Sequence, residues 1–286
     1  MQYPDLSRFL SKGLSRLAPG PVGVLLMEDY AETNSTIRHH RGLGLANLLV
    51  CGPENLSISR ELAEKVHHVI CDTTADGALG AIVNPLIAAL SGRWMYYGYN
   101  AEYLFYPFCE SRSVGEVTAF ASEERRESIL TYVIDLYADD LAASPDGVSL
   151  KGAHLDRAGY YAHSRHRDGQ VMERQLDMFG GLRWRFEEHV PWERRKIDRI
   201  GLFRAKKGLE LREDHTFSEE EYNTYSCPWH HNLTAAICSF RAAKSLRTNP
   251  GSSEAIDSFT WFNSQKFNWH SQQLLDLGLM EPGQWF

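Results

Sequence analysis

The chain has 286 residues, with 30 lysines and arginines against 37 aspartates and glutamates, so its formal net charge is −7. A general nucleic-acid-binding protein would present a basic surface, and this charge argues against that class. Disorder needs low hydrophobicity with high net charge, whereas 43% of these residues are hydrophobic. The composition therefore predicts a folded globular protein, built as one domain or as two closely packed halves.

The sequence also predicts a cytoplasmic location. The longest apolar run, Val22–Met27, has the length of a strand and falls short of the roughly 18 residues that a membrane helix needs. The first residues lack the basic and then apolar order of a secretory signal. The five cysteines are scattered and form no C-x-x-C pair, so we interpret them as reduced thiols rather than a disulfide framework or a zinc site.

Residues 1–19 are predicted to form an N-terminal amphipathic helix that ends at Pro19-Gly20-Pro21. Such a helix can pack on the domain, or it can make peripheral contact with an anionic membrane surface on the inner face. Gly13 weakens an isolated helix and therefore favours packing. The apolar residues at helical spacing are Leu6, Phe9, Leu10, Leu14 and Leu17.

Strands and helices alternate over the next 80 or so residues. This β-α-β alternation predicts an α/β fold with a mainly parallel central sheet and helices on both faces. Ligands of such sheets bind outside the carboxyl ends of the strands. The predicted strands are Val22–Met27, Leu45–Cys51, His68–Cys71 and Trp94–Tyr99, and the predicted helices are 30–42, Ser59–Val66 and Gly77–Leu90.

The second half is less regular. An apolar run covers Ile129–Tyr137, and residues 183–212 hold ten basic and five acidic residues, a net of +5. Pro228–Arg247 is predicted to be helical in its later part, and Asn249–Ser253 to form a turn or linker. Gly180-Gly181 allows close backbone approach, and Arg183 and Arg185 would share one face of a following strand.

Several residues of the first half also follow a known pattern. His39–Gly44 reads H-H-R-G-L-G, Asn84 precedes Trp94 by ten residues, and Tyr99–Pro107 ends in E-Y-L-F-Y-P. In these features the chain resembles the family-2-like glycosyltransferases of the GT-A fold, in the branch that reads K-N-E, H-H-x-x-L-G, N, W and D-x-D-E-F-L-x-Y-P. Arg195-Lys196 and Asp214-His215 resemble the later basic strand and loop histidine of that branch.

The resemblance implies a hexosyltransferase-like enzyme that moves a sugar from a nucleotide-sugar donor to a glycan or glycolipid acceptor in polysaccharide biosynthesis. It implies that residues 20–110 bind the donor and residues 111–248 bind the acceptor, followed by an aromatic-rich tail over 249–286. In the family, the acidic end of the first strand contacts the base and ribose. The D-x-D acids contact the sugar or ribose and a divalent metal. The predicted donor-binding residues are Glu28, Asp29, Asn100, Glu102, Arg183 and Arg185.

The chain departs from the family at the metal site, where D-x-D becomes Tyr99-Asn100-Ala101. A hard cation such as Mn²⁺ or Mg²⁺ prefers several carboxylate or carbonyl oxygens. If a metal is bound, Glu102 and His215 are its predicted ligands. Otherwise basic side chains can neutralise the diphosphate, although each is more often a solvated surface charge. These candidates are Arg183, Arg185, Arg195, Lys196 and Arg204.

The remaining site predictions concern the acceptor. Asp177 or Glu187 is the predicted general base, because an inverting transfer needs a carboxylate within hydrogen-bond reach of the acceptor. His215 and Arg204 are predicted to contact acceptor or phosphate, and Trp184 or Trp229 to stack on a sugar. His39-His40 is interpreted as the structural end of a helix.

Two alternatives stay open. The lost D-x-D is also compatible with a catalytically degenerate GT-A-fold protein that serves in binding or as a scaffold. A hydrolase or phosphotransferase of another α/β class is disfavoured, since the sequence has no G-x-S-x-G, H-E-x-x-H or phosphate-binding glycine motif.

Overall fold

The structure is a computed structural model and describes residues 1–285. The chain forms two compact units that are interleaved along the sequence. The first unit comprises Met1–Ala101, Ser111–Ile129 and Ile200–Asn223, and the second comprises Glu102–Glu110, Leu130–Arg199 and Thr224–Phe286. This division differs from the consecutive segments 1–19, 20–110, 111–248 and 249–286 that the sequence predicts.

The strands and helices alternate in the first third of the chain and are irregularly spaced later. The strands are β1 (Gln2–Tyr3), β2 (Val22–Leu26), β3 (Asn47–Gly52), β4 (His67–Ile70), β5 (Trp94–Tyr99), β6 (Glu102–Phe105), β7 (Ser128–Ala138), β8 (Ala153–Asp156), β9 (Tyr161–Arg167), β10 (Gln170–Phe179), β11 (Asp198–Arg204), β12 (Ala235–Ser239) and β13 (Ser264–Lys266). The α-helices are α1 (Leu6–Lys12), α2 (Thr33–Gly42), α3 (Arg60–Ala63), α4 (Ala78–Ala89), α5 (Val114–Glu123), α6 (Gly181–Arg185), α7 (Arg241–Thr248), α8 (Pro250–Ser253) and α9 (Ser271–Asp276).

The first unit is built on a parallel sheet with the strand order β1-β4-β3-β2-β5. In the centre, Leu25 of β2 lies opposite Val50 of β3 on one side and Gly98 of β5 on the other. Every residue of β2, β3 and β5 is buried, as expected for parallel strands whose sequences are nearly continuous apolar runs. Strand β11 pairs with β5 in the antiparallel direction at Leu202–Arg204.

The predicted elements of this unit are confirmed, with small shifts of their ends. The strand Trp94–Tyr99 is found as predicted, and β2, β3 and β4 begin or end within two residues of their predicted bounds. The predicted helix Ser59–Val66 is a single turn, Arg60–Ala63. Alternating apolar runs and turn residues are strong local signals, which is why this region could be predicted.

The N-terminal segment is not one helix over residues 1–19. Strand β1 pairs with β4, helix α1 ends at Lys12, and a 3₁₀-helix covers Leu14–Arg16. Phe9 is fully buried, and its ring lies 5.2 Å from the Tyr3 ring. A Cβ atom at Gly13 would lie 2.3 Å from the Phe9 ring, so the missing side chain allows this close packing. The segment therefore packs on the first unit, in agreement with the packing interpretation.

The second unit contains a mixed sheet, so the prediction of a mainly parallel sheet is wrong while the α/β class is confirmed. Strands β7 and β12 are parallel, but β6 pairs with β12, β8 with β7 and β13 with β8 in the antiparallel direction. Strands β9 and β10 form a separate hairpin. Asp168 and Gly169 join them with φ angles of 51° and 75°, as a tight turn between antiparallel strands requires.

Two further predictions for the second half are corrected. Gly181–Arg185 is a short helix rather than a strand, so Arg183 and Arg185 do not share a strand face. Pro250–Ser253 is also a short helix rather than a turn, because the Asn249 side chain caps it by accepting a hydrogen bond from the Gly251 N–H at 2.9 Å. The predicted helicity late in 228–247 is confirmed by α7, which follows β12.

Within residues 1–285, none of the helices combines the length and the apolar character that a membrane crossing requires.

Candidate functional site

Asn100 joins the ends of β2 and β5 in the first unit. Its Oδ1 accepts a hydrogen bond from the Glu28 N–H at 2.9 Å. Its Nδ2 donates to Asp29 Oδ1 at 2.5 Å and to the Ala31 carbonyl at 3.0 Å. The side chain is fully buried. Because this residue both donates and accepts here, an amide suits the position and a carboxylate would not.

The backbone around this junction is fixed by further hydrogen bonds. Ala101 has a φ angle of 56°, in the left-handed region, and its N–H donates to the Thr36 hydroxyl of α2 at 2.9 Å. A residue with a side chain costs roughly 1 kcal/mol or more in this conformation. The Thr73 hydroxyl, just beyond β4, donates to the Met27 carbonyl, just beyond β2, at 2.6 Å. The strand ends are therefore held in one arrangement.

His215 lies beside the end of β5, although it is more than 100 residues away in sequence. Its Nδ1 is 3.0 Å from the Tyr97 hydroxyl, and its ring stacks on the Tyr97 ring at 5.9 Å. The His215 ring also lies nearly perpendicular to the Tyr99 ring, with 6.4 Å between the ring centroids. The Asp214 carboxylate accepts hydrogen bonds from the Thr216 N–H and hydroxyl, which shapes the turn that carries His215.

Asn84 of α4 holds the loop that leads to His215. Its Oδ1 accepts a hydrogen bond from the Leu211 N–H at 2.8 Å, and its Nδ2 donates to the Leu211 carbonyl at 3.1 Å. The side-chain amide thus pairs with the backbone as another strand would. The sequence singled out Asn84 only by its spacing from Trp94, and the structure adds this positioning contact.

The surroundings of His40 are those of a structural residue, as the sequence interpretation expected. The residue is buried in the last turn of α2, with Nδ1 at 2.9 Å from the Thr36 carbonyl. Its ring stacks on the Tyr96 ring at 4.9 Å. These contacts are those of a core histidine rather than a ligand-binding one.

Glu102 belongs to the second unit and forms a buried ion pair. Its Oε2 lies 2.7 Å from Arg199 Nη1, and its Oε1 lies 3.1 Å from Nη2, a bidentate arrangement. The Ser239 hydroxyl donates to Oε1 at 3.0 Å. The Glu102 side chain is fully buried, so both oxygens are occupied away from solvent. This geometry does not support the predicted role of Glu102 in donor or metal binding.

The basic residues predicted to clamp a diphosphate all lie beside carboxylates. Four of the five carboxylate partners lie outside residues 183–212, so the net charge of +5 counted along that segment is compensated by residues elsewhere in the chain. The pairs are Arg183 with Asp135 at 3.3 Å, Arg185 with Asp156 at 2.9 Å, Arg195 with Glu187 at 2.9 Å, Lys196 with Asp177 at 3.0 Å, and Arg204 with Glu127 at 3.9 Å.

The two predicted bases are also engaged in ion pairs. Burial acts to raise the pKa of Asp177, but hydrogen bonds from Arg165 and Lys196 outweigh it and hold that pKa below its usual value. A carboxylate with a lowered pKa is a weak proton acceptor. Glu187 lies in a 3₁₀-helix, Glu187–His189, and contacts Arg195. The geometry therefore favours neither residue as the base.

Asp135 is a residue that the sequence analysis missed. It is fully buried in β7, and burial raises the pKa of its carboxyl. The Arg183 N–H donates to its Oδ2 at 3.3 Å, and a Cβ atom at Gly181 would lie 2.8 Å from that oxygen. Gly181 is thus required for close approach, with a φ angle of 66°. The sequence signal that could have identified Asp135 is the presence of an acidic residue inside the apolar run Ile129–Tyr137.

The two tryptophans predicted to bind sugar differ in their surroundings. Trp184 is 39% exposed and contacts the edge of the Tyr161 ring at 6.4 Å. Trp229 is 81% exposed, in the loop between Cys227 and His230.

Across residues 1–285, no group of three or more histidine, cysteine or acidic side chains is arranged to hold a metal ion.

Compared with known proteins, the chain matches no family model and no curated protein sequence.

Proposed function

We propose that the chain is a glycosyltransferase of GT-A-like fold that binds a nucleotide-sugar at the carboxyl edge of the parallel sheet in the first unit and acts without a metal. The observation that carries this proposal is the strand order. From β2 the chain adds β3 and β4 on one side and β5 on the other. Ligands of open α/β sheets bind where the strand order reverses in this way. Asn100 directly follows β5, and Asp29 lies in the short segment that follows the end of β2 at Leu26.

The polar groups at this edge suit a nucleoside diphosphate. The Asp29 carboxylate can accept hydrogen bonds from ribose hydroxyls or base amino groups, and Asn100 fixes its position. The imidazole of His215, when protonated, can donate to a phosphate oxygen. In the proposed reaction, an acceptor hydroxyl oxygen forms a bond to the anomeric carbon while the bond from that carbon to the diphosphate oxygen breaks. The nucleoside diphosphate leaves with the bonding electron pair, and the proton of the acceptor hydroxyl passes to solvent water or to the departing diphosphate.

Metal independence is proposed because the carboxylates of D-x-D are replaced by Tyr99, Asn100 and Ala101. Asn100 is already committed to Glu28, Asp29 and Ala31, and Glu102 to Arg199. A hard cation would therefore lack several of its preferred oxygen ligands.

A second candidate is a degenerate GT-A-like protein that binds the nucleotide-sugar without transferring the sugar. The same replacement of the D-x-D carboxylates favours it. Both candidates require nucleotide binding at β2 and β5, and only the enzyme requires turnover.

Turnover distinguishes the two candidates. We would incubate the full chain with UDP-, GDP- and CDP-sugars in EDTA and measure the nucleoside diphosphate released, with and without oligosaccharide acceptors. The transferase predicts release from one donor that persists in EDTA and falls in the His215→Ala variant. Binding of a donor with no release under any condition would reject the transferase and leave the binding protein. The Phe262→Ala variant, at an exposed aromatic residue of the second unit, is the control for nonspecific loss of activity.

A further inference from the structure

The surface of the second unit carries three exposed aromatic rings grouped around a buried one, which together we call the aromatic platform. It consists of Tyr161, Phe179, Trp184 and Trp192. Phe179 is 3% exposed and lies in the middle, whereas Trp192 is 57% exposed. Tyr161 and Trp184 are more than one-third exposed. Large apolar side chains on a protein surface are usually scattered singly, so their convergence around one buried ring indicates a binding surface.

The rings of the platform form an ordered stack. Tyr161 of β9 lies directly opposite Phe179 of β10, and their rings stack at 5.2 Å with an interplanar angle of 19°. Trp192 stacks on Phe179 at 5.4 Å with an angle of 28°. Trp184 of α6 meets Tyr161 edge-on at 6.4 Å. Two strands and two helical turns thus contribute rings to a single surface.

Neighbouring contacts hold these rings in place. The Arg195 guanidinium lies 5.6 Å from the centroid of the Trp192 ring, and it is itself fixed by Glu187 and the Val190 carbonyl. Phe179 pairs with Lys196 through an isolated β-bridge. A surface whose side chains are ordered before binding loses less entropy when a ligand binds.

Polar groups of both signs surround the rings. His163 is exposed and its ring lies 5.3 Å from that of Tyr161. Asp177, opposite His163 in the hairpin, is paired with Lys196 at 3.0 Å. Flat apolar faces with hydrogen-bonding groups at their edge match a pyranose ring, whose C–H face packs on an aromatic face while its hydroxyls point outward.

We infer that the aromatic platform binds an oligosaccharide, with sugar rings stacked on Trp192 and Trp184. This inference rests on the proposed function and deepens it, because it assigns the acceptor to the class of glycans and places its recognition on the β9–β10 hairpin. A membrane surface is a poorer match. Anionic lipids select clusters of basic residues, and here the basic rim residues Arg195 and Lys196 are paired with Glu187 and Asp177.

The test measures binding of sugars to the full chain without any nucleotide. Cellopentaose, maltopentaose, chitopentaose and mannopentaose would be titrated by calorimetry and by tryptophan fluorescence. We expect one of them to bind, and we expect Trp192→Ala and Trp184→Ala each to weaken binding about tenfold. Trp192→Phe, which keeps an aromatic face, should retain most of the affinity. Phe262→Ala is the matched control, since Phe262 is an exposed aromatic residue outside the platform.

The inference is overturned if none of the four sugars binds at 10 mM, a concentration of the order of weak glycan affinities. It is also overturned if the platform variants bind as the wild type does, or if the platform binds anionic vesicles and no sugar. Circular dichroism of each variant verifies folding, and Tyr161→Ser replaces any variant that fails to fold. The titration contains no nucleotide, so its result does not depend on the proposed donor site. Sugar binding in a protein that binds no donor would reject the transferase and leave the sugar-binding inference standing.

Discussion

The junction at Asn100 and the ion pair at Glu102 differ in chemistry although the two residues are neighbours in sequence. Asn100 lies in the first unit and joins two strand ends through a neutral amide. Glu102 lies in the second unit and is neutralised by Arg199 inside a fully buried environment. One motif thus supplies a residue that shapes the edge where we propose that a ligand binds, and a residue that stabilises a core. Matching a motif by spacing alone treats both as site residues.

The largest expected effect comes from the buried ion pair. Arg199→Met should lower the free energy of unfolding by about 3–5 kcal/mol, because it leaves the Glu102 carboxylate buried without its counter-charge. Urea denaturation followed by circular dichroism measures this change. The double variant Glu102→Leu/Arg199→Met should recover much of the loss. A loss below about 1 kcal/mol for the single variant would contradict the assignment of this pair as a buried structural contact.

Asn100→Asp tests the neutral junction. The new carboxylate would face Asp29 and the Ala31 carbonyl without a hydrogen to donate, so we expect a loss of about 1–3 kcal/mol. We also expect nucleotide binding to weaken, and thermal denaturation with and without nucleotide measures both effects. Asn249→Asp is the matched control, because Asn249 only accepts a hydrogen bond in its helix cap. Equal stability of the two variants would show that the amide of Asn100 is not needed.

Asn84→Ala should have a smaller effect on stability and a selective effect on binding. It removes two hydrogen bonds to Leu211, at a cost of about 1–2 kcal/mol, and releases the loop that carries His215. We therefore expect weaker nucleotide binding by calorimetry at a temperature where the variant is still folded. If the affinity were unchanged, the loop would have no part in the site.

The smallest expected effect concerns pH. The pKa of Asp177 is lowered in the folded protein, so its ion pairs contribute stability at pH values above about 3.9, the value for an unfolded aspartate. That contribution is lost as the pH falls through the lower folded pKa. The Asp177→Asn variant should therefore lose less stability than the wild type between about pH 5 and pH 3, which lie on either side of the pKa of an unfolded aspartate. We would measure the free energy of unfolding in urea for both proteins across this pH range. An equal change with pH in the wild type and in Asp177→Asn would contradict this account.

The sequence predicts strands β2 to β5 of the first unit well because their signals are local. Buried strands such as Trp94–Tyr99 read as apolar runs, and turn residues separate them from the helices. The α/β class and the polar strand ends follow from this alternation. The N-terminal segment could be predicted only in part, since the close contact of Gly13 with Phe9 is a matter of packing.

The ion pairs of the second unit could not be predicted, since they depend on contacts that are distant in sequence. Arg183 and Arg185 are neutralised by Asp135 and Asp156, which lie about 50 and 30 residues earlier. The short helix α6 has too few residues to show a helical period. Charge counts along the chain carry no information about such pairing.

The most direct test of the central claim is the melting temperature of the full chain with UDP, GDP and CDP in EDTA. A ligand that binds the native state raises the midpoint, by a free energy of about RT ln(1 + [L]/Kd). We predict a rise with one nucleotide in the wild type, a rise that disappears in His215→Ala and Asn100→Asp and persists in Trp229→Ala. No rise with any nucleotide, or one that these site variants leave unchanged, would contradict nucleotide binding between β2 and β5.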